Sequence, residues 1–221
     1  MCFSPEASFI AGSALTAIGV ATVKKTNQKS QLWFGSIPLV FGVQQISEGI
    51  LWLSLPNPDL ILWQSIATIT FIFFAQVIWP FIVPFGILML DKKEDRKLIQ
   101  KVFVGIGALV SSTLLYFLIA YNIEAKILGQ HIAYDQDYPE TIYKYGAILY
   151  AAATIVPLFF SSVKRMWILG AIIAISYAVT LYFFENHVLS VWCFFSSIIS
   201  IYIYLIIKWE NEKSKQKEIM N

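Results

Sequence analysis

Apolar residues run along this chain in long stretches, broken at intervals by short clusters of charge. The gaps between those clusters mark seven segments: 5–23, 32–55, 60–88, 98–121, 142–161, 165–184 and 187–208. An α-helix needs about 20 apolar residues to cross a bilayer, and these segments are of that order. Strands of a membrane barrel would be about 9–11 residues long and alternate in polarity, so length favours helices. The expected fold class is all-α: an integral membrane seven-transmembrane-helix bundle. Residues 1–208 would form a single membrane domain and 209–221 a charged cytoplasmic tail. Helix three, with Pro80 and Pro84, is too long for one straight span and should be kinked there.

Composition supports lipid as the solvent. The chain is 57% hydrophobic and only 14% charged, with a mean hydropathy of +0.66. A soluble domain carries about a quarter of its residues as charges. The net charge of +2 suggests no nucleic-acid partner, and the partner that matters is the lipid bilayer. Where the basic residues fall is more informative than their sum. Lys24, Lys25 and Lys29 follow the first span. Lys92, Lys93, Arg96, Lys97 and Lys101 separate the third from the fourth. Lys164 and Arg165 separate the fifth from the sixth, and Lys208, Lys213, Lys215 and Lys217 follow the seventh. Fourteen of the sixteen Lys and Arg thus fall on one side, and only Lys126 and Lys144 on the other. The excess of positive charge in cytoplasmic loops then sets the amino terminus outside and the carboxyl terminus in the cytoplasm of a multi-pass protein of the cell (inner) membrane. Because the lysines follow the first apolar stretch instead of preceding it, that stretch is expected to be an uncleaved anchor. Ser4-Pro5-Glu6 carries the signature of a helix start, with a capping hydroxyl, a proline at the first turn and an acid at the positive dipole end. Trp33, Trp167 and Trp209 fall at expected inner ends of the spans, and Trp52, Trp63 and Trp192 at outer ends.

Polar residues inside these spans are the candidates for chemistry. Glu48 is the one carboxylate well inside a span, about 10 Å from the outer end of helix two. An ionisable group at that depth is a functional candidate by default. Gln44 or Gln45, Glu48 and Trp52 share a face of that helix, while Gly35, Gly42 and Gly49 recur every seven residues beside it. Such glycines admit a second helix at close range. Two readings of Glu48 stay open: a ligand or catalytic group, or a protonated tie holding helices together through Gln45 or a serine. Cys193 on helix seven lies at a comparable depth, about 9 Å inward. Ser197 and Ser200 on the same helix fit simple packing. The longest outer loop holds His131, Asp135, Asp137 and Glu140. It is expected as a solvated acidic loop and a lid, with sharing of a hard cation as the sharper alternative.

Cys2 has several possible roles. It could pair with Cys193, the other cysteine of the chain, on the oxidising side. It could join His187 and Cys193 as a metal ligand, zinc being the candidate cofactor. Removal of Met1 would also leave an amine and thiol able to chelate. A packing role is the plain alternative.

The stretches MCFSPEASF, PLVFGVQQISEGILW and VWCFF resemble an uncharacterised bacterial family of multi-pass membrane proteins that begin Met-Cys-Phe-Ser and carry Gln-Gln…Glu-Gly on helix two. That resemblance implies a membrane location and shared signature residues, with no assigned activity. A weaker, architectural similarity is to the ceramidase and adiponectin-receptor group of seven-helix metal hydrolases. The motifs differ, because this sequence has only His131 and His187 and lacks a three-histidine site. Three functions are therefore carried forward. The first is an outward-facing polar pocket of Gln44, Gln45, Glu48, Trp52 and Cys193 that binds or senses a small or lipid ligand. The second is a metal-dependent lipid hydrolase with Glu48 as general base. The third is a small proton-coupled transporter.

Overall fold

The computed structural model describes residues 4–183 and 188–220, with side chains described for all of these except 140–144, 181, 183, 188–194 and 217–220. The chain is mostly helical. Helix α1 (Pro5–Lys25) starts as its sequence requires: Ser4 is the N-cap, and its hydroxyl accepts from the Ala7 N–H at 3.2 Å. Glu6 stands in this first turn, at the positive end of the helix dipole. The second apolar segment divides at Ser36 into α2 (Lys29–Gly35) and α3 (Ile37–Ser54), with Pro38 in the first turn of α3.

The third segment is one long rod made of several parts. A 3-10 turn, Pro58–Leu60, leads into α4 (Ile61–Ile72). A π-helical turn follows over Phe73–Ile78, and α5 (Trp79–Leu90) completes the rod. The expected kink at Pro80 thus takes the form of a π-helical turn. Proline has no N–H, so it removes one helical bond, and widening the turn is a common way to absorb that loss. After α6 (Glu94–Ala120) the expected loop is instead a β-hairpin of β1 (Ile123–Leu128) and β2 (His131–Gln136). The strands are antiparallel, with Ile127 opposite Ile132 and Glu124 opposite Asp135. Gly129 turns the chain at φ 62°, a left-handed conformation that glycine adopts without strain. The all-α expectation is corrected here. Ile123, Ala125 and Ile127 alternate with polar residues, and that period of two makes a strand with one apolar face. The chain continues through α7 (Glu140–Thr154), the short α8 (Val156–Phe159), α9 (Met166–Phe183) and α10 (Val188–Met220). Residues 209–220, expected as a tail, prolong α10.

Among the described residues, three helical stretches are long and apolar enough to cross a membrane: Pro5–Lys25, Pro58–Leu90 and Glu94–Ala120. Large apolar side chains such as Ile10, Leu62, Ile69, Leu109 and Ile119 are exposed on their surfaces, while Ser8, Thr22, Gln44, Gln45 and Glu48 are buried. A surface more apolar than parts of the interior is the arrangement that lipid selects.

Close helix packing rests on glycine. A Cβ on Gly42 would lie 2.5 Å from Thr16 Oγ1, one on Gly49 would lie 3.0 Å from the Phe9 ring, and one on Gly35 would lie 3.1 Å from Thr26 Cγ2. The glycine stripe of the second segment therefore receives α1, which answers with Gly12 against Ile46 and Gly19 against Leu39. The basic segments meet at one end of the bundle. Lys92 pairs with Glu210 at 3.8 Å, Arg165 lies 4.4 Å from the Trp209 ring centre, and Asn211 donates to the Lys25 carbonyl at 2.6 Å.

Candidate functional site

The polar face of α3 is completely buried: Gln44 is 3% exposed, and Gln45 and Glu48 are 0%. Gln45 Nε2 donates to Glu48 Oε2 at 2.9 Å, so one turn of helix joins the two. Gln44 points toward α5 instead, where its Oε1 accepts from Trp79 Nε1 at 3.2 Å. Phe41, one turn before Gln44, stacks obliquely on the same Trp79 ring with centroids 4.2 Å apart.

Trp79 follows directly on the π-helical turn, and that turn sets the local chemistry. The donor five residues beyond Ala75 would be Pro80, which has no N–H. The Ala75 carbonyl is instead taken by the Tyr150 hydroxyl from α7 at 2.6 Å. Gln76, the next residue, donates to Gln136 Oε1 of the hairpin at 3.0 Å and accepts from the Tyr138 hydroxyl at 3.3 Å. The apolar face of the hairpin packs on α4 alongside this contact, with Tyr134 stacked on Phe71 at 4.6 Å. Sequence reasoning passed over Gln76, Tyr138 and Tyr150. Only Gln76 carried a signal, as a lone amide in an apolar run just before Trp-Pro.

A cavity of about 50 Å³ opens beside Gln44 and Trp79. Its walls come from α2, α3, the π-helical turn, α5 and α7–α10. They are apolar (Phe34, Phe41, Val83 and Ile203 among them) apart from Gln44 and Thr154. By this measure a water needs about 10–15 Å³, so the space holds a few waters or the end of an apolar chain.

Of the residues expected to form a pocket, the described ones do not converge on one space. Gln44 lines the cavity, whereas Gln45, Glu48 and Trp52 are absent from its walls. Trp52 packs beneath the hairpin with Leu51, Ala67 and Ile132. Cys2 and His187 lie outside the described residues, as does the side chain of Cys193, so the expected metal ligands and the pairing of the cysteines fall there too. Among the described residues no group of three or more His, Cys, Asp or Glu is placed to hold a metal ion. Asp135 of the hairpin pairs with Lys126 at 2.9 Å, and Glu124 with the same lysine at 3.1 Å. Hydrogen bonding to Asp135 and then Glu124 raises the pKa of Lys126. Ser200 is fully buried, in keeping with a packing role.

A family model described as a family of unknown function (DUF6629) matches residues 1–218. The chain belongs to that family. Membership in DUF6629 fits the expected resemblance to an uncharacterised family and lends no support to the ceramidase comparison. No curated protein matches the chain, and no solved structure does.

Proposed function

We propose that this DUF6629 protein is a multi-pass protein of the cell membrane that binds a small, mainly apolar ligand, or the end of a lipid chain, in the cavity beside Gln44. The observation that carries this reading is the cavity itself. It is apolar, it is enclosed by most of the helical passes, and Gln44 supplies a fixed polar group that Trp79 holds in place. Ligand sites combine those features, with apolar walls for affinity and a few placed polar groups for orientation. The small volume argues for a slender ligand.

The test is native mass spectrometry of the purified full-length protein beside Val83→Phe. The larger ring fills the space from α5, and cavity filling stabilises where the added volume matches the space, so this variant is expected to be as stable as wild type or up to about 1 kcal/mol more stable. It should lose a co-purifying lipid-sized or smaller mass that wild type retains. If Val83→Phe keeps that mass, or if wild type carries none after purification in mild detergent, the reading fails.

The topology that accompanies this proposal is seven passes, with the amino terminus outside and the carboxyl terminus in the cytoplasm. It is supported by the lopsided basic residues and by their convergence at one end of the bundle. Alkaline phosphatase inserted at Gly129 of the hairpin is expected to be active in cells, and the same reporter placed after Lys93 inactive. The opposite pattern would invert the protein in the membrane.

A further inference from the structure

Asp91 caps the carboxyl end of α5. A carboxylate is disfavoured there, because the last carbonyls of a helix form its negative pole. Asp91 is nevertheless buried, with 2% of its surface exposed. Its Oδ1 accepts three hydrogen bonds from the loop between α8 and α9: from Ser162 N and Ser162 Oγ, each at 2.6 Å, and from Ser161 Oγ at 3.2 Å. Its Oδ2 is buried and has no hydrogen-bond partner among the described residues.

The missing counter-charge is notable because basic residues flank both segments: Lys92 and Lys93 beside Asp91, Lys164 and Arg165 beside the serines. None forms an ion pair with Asp91 among the described residues. Lys92 reaches Glu210 at 3.8 Å, and the Arg165 guanidinium lies over Trp209. A buried carboxylate with an unpartnered oxygen, at the negative end of a helix, is held only if something positive meets it.

We propose that Asp91, Ser161 and Ser162, with the terminal carbonyls of α5, hold an alkali-metal cation. The donor set is all oxygen, which suits a hard cation. Among the described residues no backbone N–H bonds to the carbonyls of Leu88, Met89 or Leu90, and these belong to the last turn, where helical donors run out. Each serine also has acceptor capacity left. Ser162 Oγ spends its proton on Asp91 and keeps its lone pairs, while Ser161 Oγ gives one lone pair to the Val163 N–H at 3.1 Å. A single carboxylate balances a single positive charge, whereas divalent sites recruit more carboxylates. Helix carboxyl ends that join a carboxylate around a monovalent ion are a known device of membrane proteins. The ion would fasten the end of α5 to the α8–α9 loop. None of these residues lines the Gln44 cavity, so the two proposals stand apart.

The experiment is thermal unfolding of the full-length protein in mild detergent, at equal ionic strength in sodium, potassium or N-methyl-D-glucamine chloride. Wild type is expected to gain about 5–10 °C, saturably, at an alkali-cation concentration about a hundred times the half-saturating one. Comparison of the sodium and potassium arms identifies the preferred ion. Asp91→Asn keeps the acceptor for the serines and removes the charge, so its unfolding temperature should be the same in all three salts. Ser162→Ala should shift half-saturation upward by about ten-fold. A wild type indifferent to the cation overturns the proposal, as does an Asp91→Asn protein with the full response. If Asp91→Asn does not fold, an unchanged half-saturation in Ser162→Ala overturns it.

Discussion

Replacing Gly107 by alanine is expected to destabilise the protein by about 3 kcal/mol, whereas the same change at Gly105 should leave stability unchanged or raise it by up to about 1 kcal/mol. Both glycines lie in α6, two residues apart. Nothing stands within 4 Å of a Cβ built on Gly105, but one built on Gly107 collides with the Pro80 carbonyl oxygen. The cause is the pair Pro80 and Pro84. The helical donor for the Pro80 carbonyl would be the nitrogen of Pro84, which carries no hydrogen, and the Pro84 ring pushes that carbonyl aside. The freed carbonyl projects toward α6, and Gly107 leaves room for it. Backbone cannot rotate away as a side-chain tip can, so α5 and α6 would have to separate. Unfolding temperatures of the two variants in the same detergent check this. Equal behaviour of the two would mean that α5 and α6 are further apart than described.

The second large effect is expected at Asn211. Its Oδ1 accepts from Gln31 Nε2 at 2.8 Å, and its Nδ2 donates to the Lys25 carbonyl at 2.6 Å. Gln31 Oε1 in turn accepts from the Asn27 N–H at 2.9 Å. Asn211 and Gln31 are each 4% exposed. One amide thus ties α10 to the turn between α1 and α2. Asn211→Ala deprives two groups of this partner at once and should cost about 2–3 kcal/mol. Ending the chain after Lys208 should be worse still, since Trp209 and Glu210 also leave Arg165 and Lys92. Ending it after Ser214 should be tolerated. A chain ending at Lys208 that is as stable as the full protein would show that the packing of α10 on α1 and α2 is dispensable.

These two cases show where reading the sequence stops. Helix positions were legible because burial of backbone in an apolar medium demands long apolar runs, and such runs are counted directly. The glycine stripe at 35, 42 and 49 was legible as a close-packing face, since its period is that of a helix. Its partner, α1, was not, because a stripe states that a neighbour comes close without saying which. The buried face of Gln44, Gln45 and Glu48 was likewise visible as polar residues in an apolar run. That Gln44 turns to Trp79 and the cavity while Gln45 turns to Glu48 depends on the direction of adjacent side chains around α3, and on α5 lying against one of them only.

The sequence by itself determined a mostly helical chain suited to lipid, the helix start at Ser4 and the clustering of basic residues between particular helices. Those properties follow from local composition and period. Tertiary structure alone decided that the hairpin between α6 and α7 packs on α4 and that the residues beyond Lys208 hold α1 and α2 through Asn211. It also decided that the prolines of the third segment open a π-helical turn whose freed carbonyl meets Tyr150. Each of these depends on a polar group finding a partner 60 or more residues away. Hydrogen bonding in a dry interior must be satisfied by whatever the fold brings near, and the order of residues does not reveal what that will be.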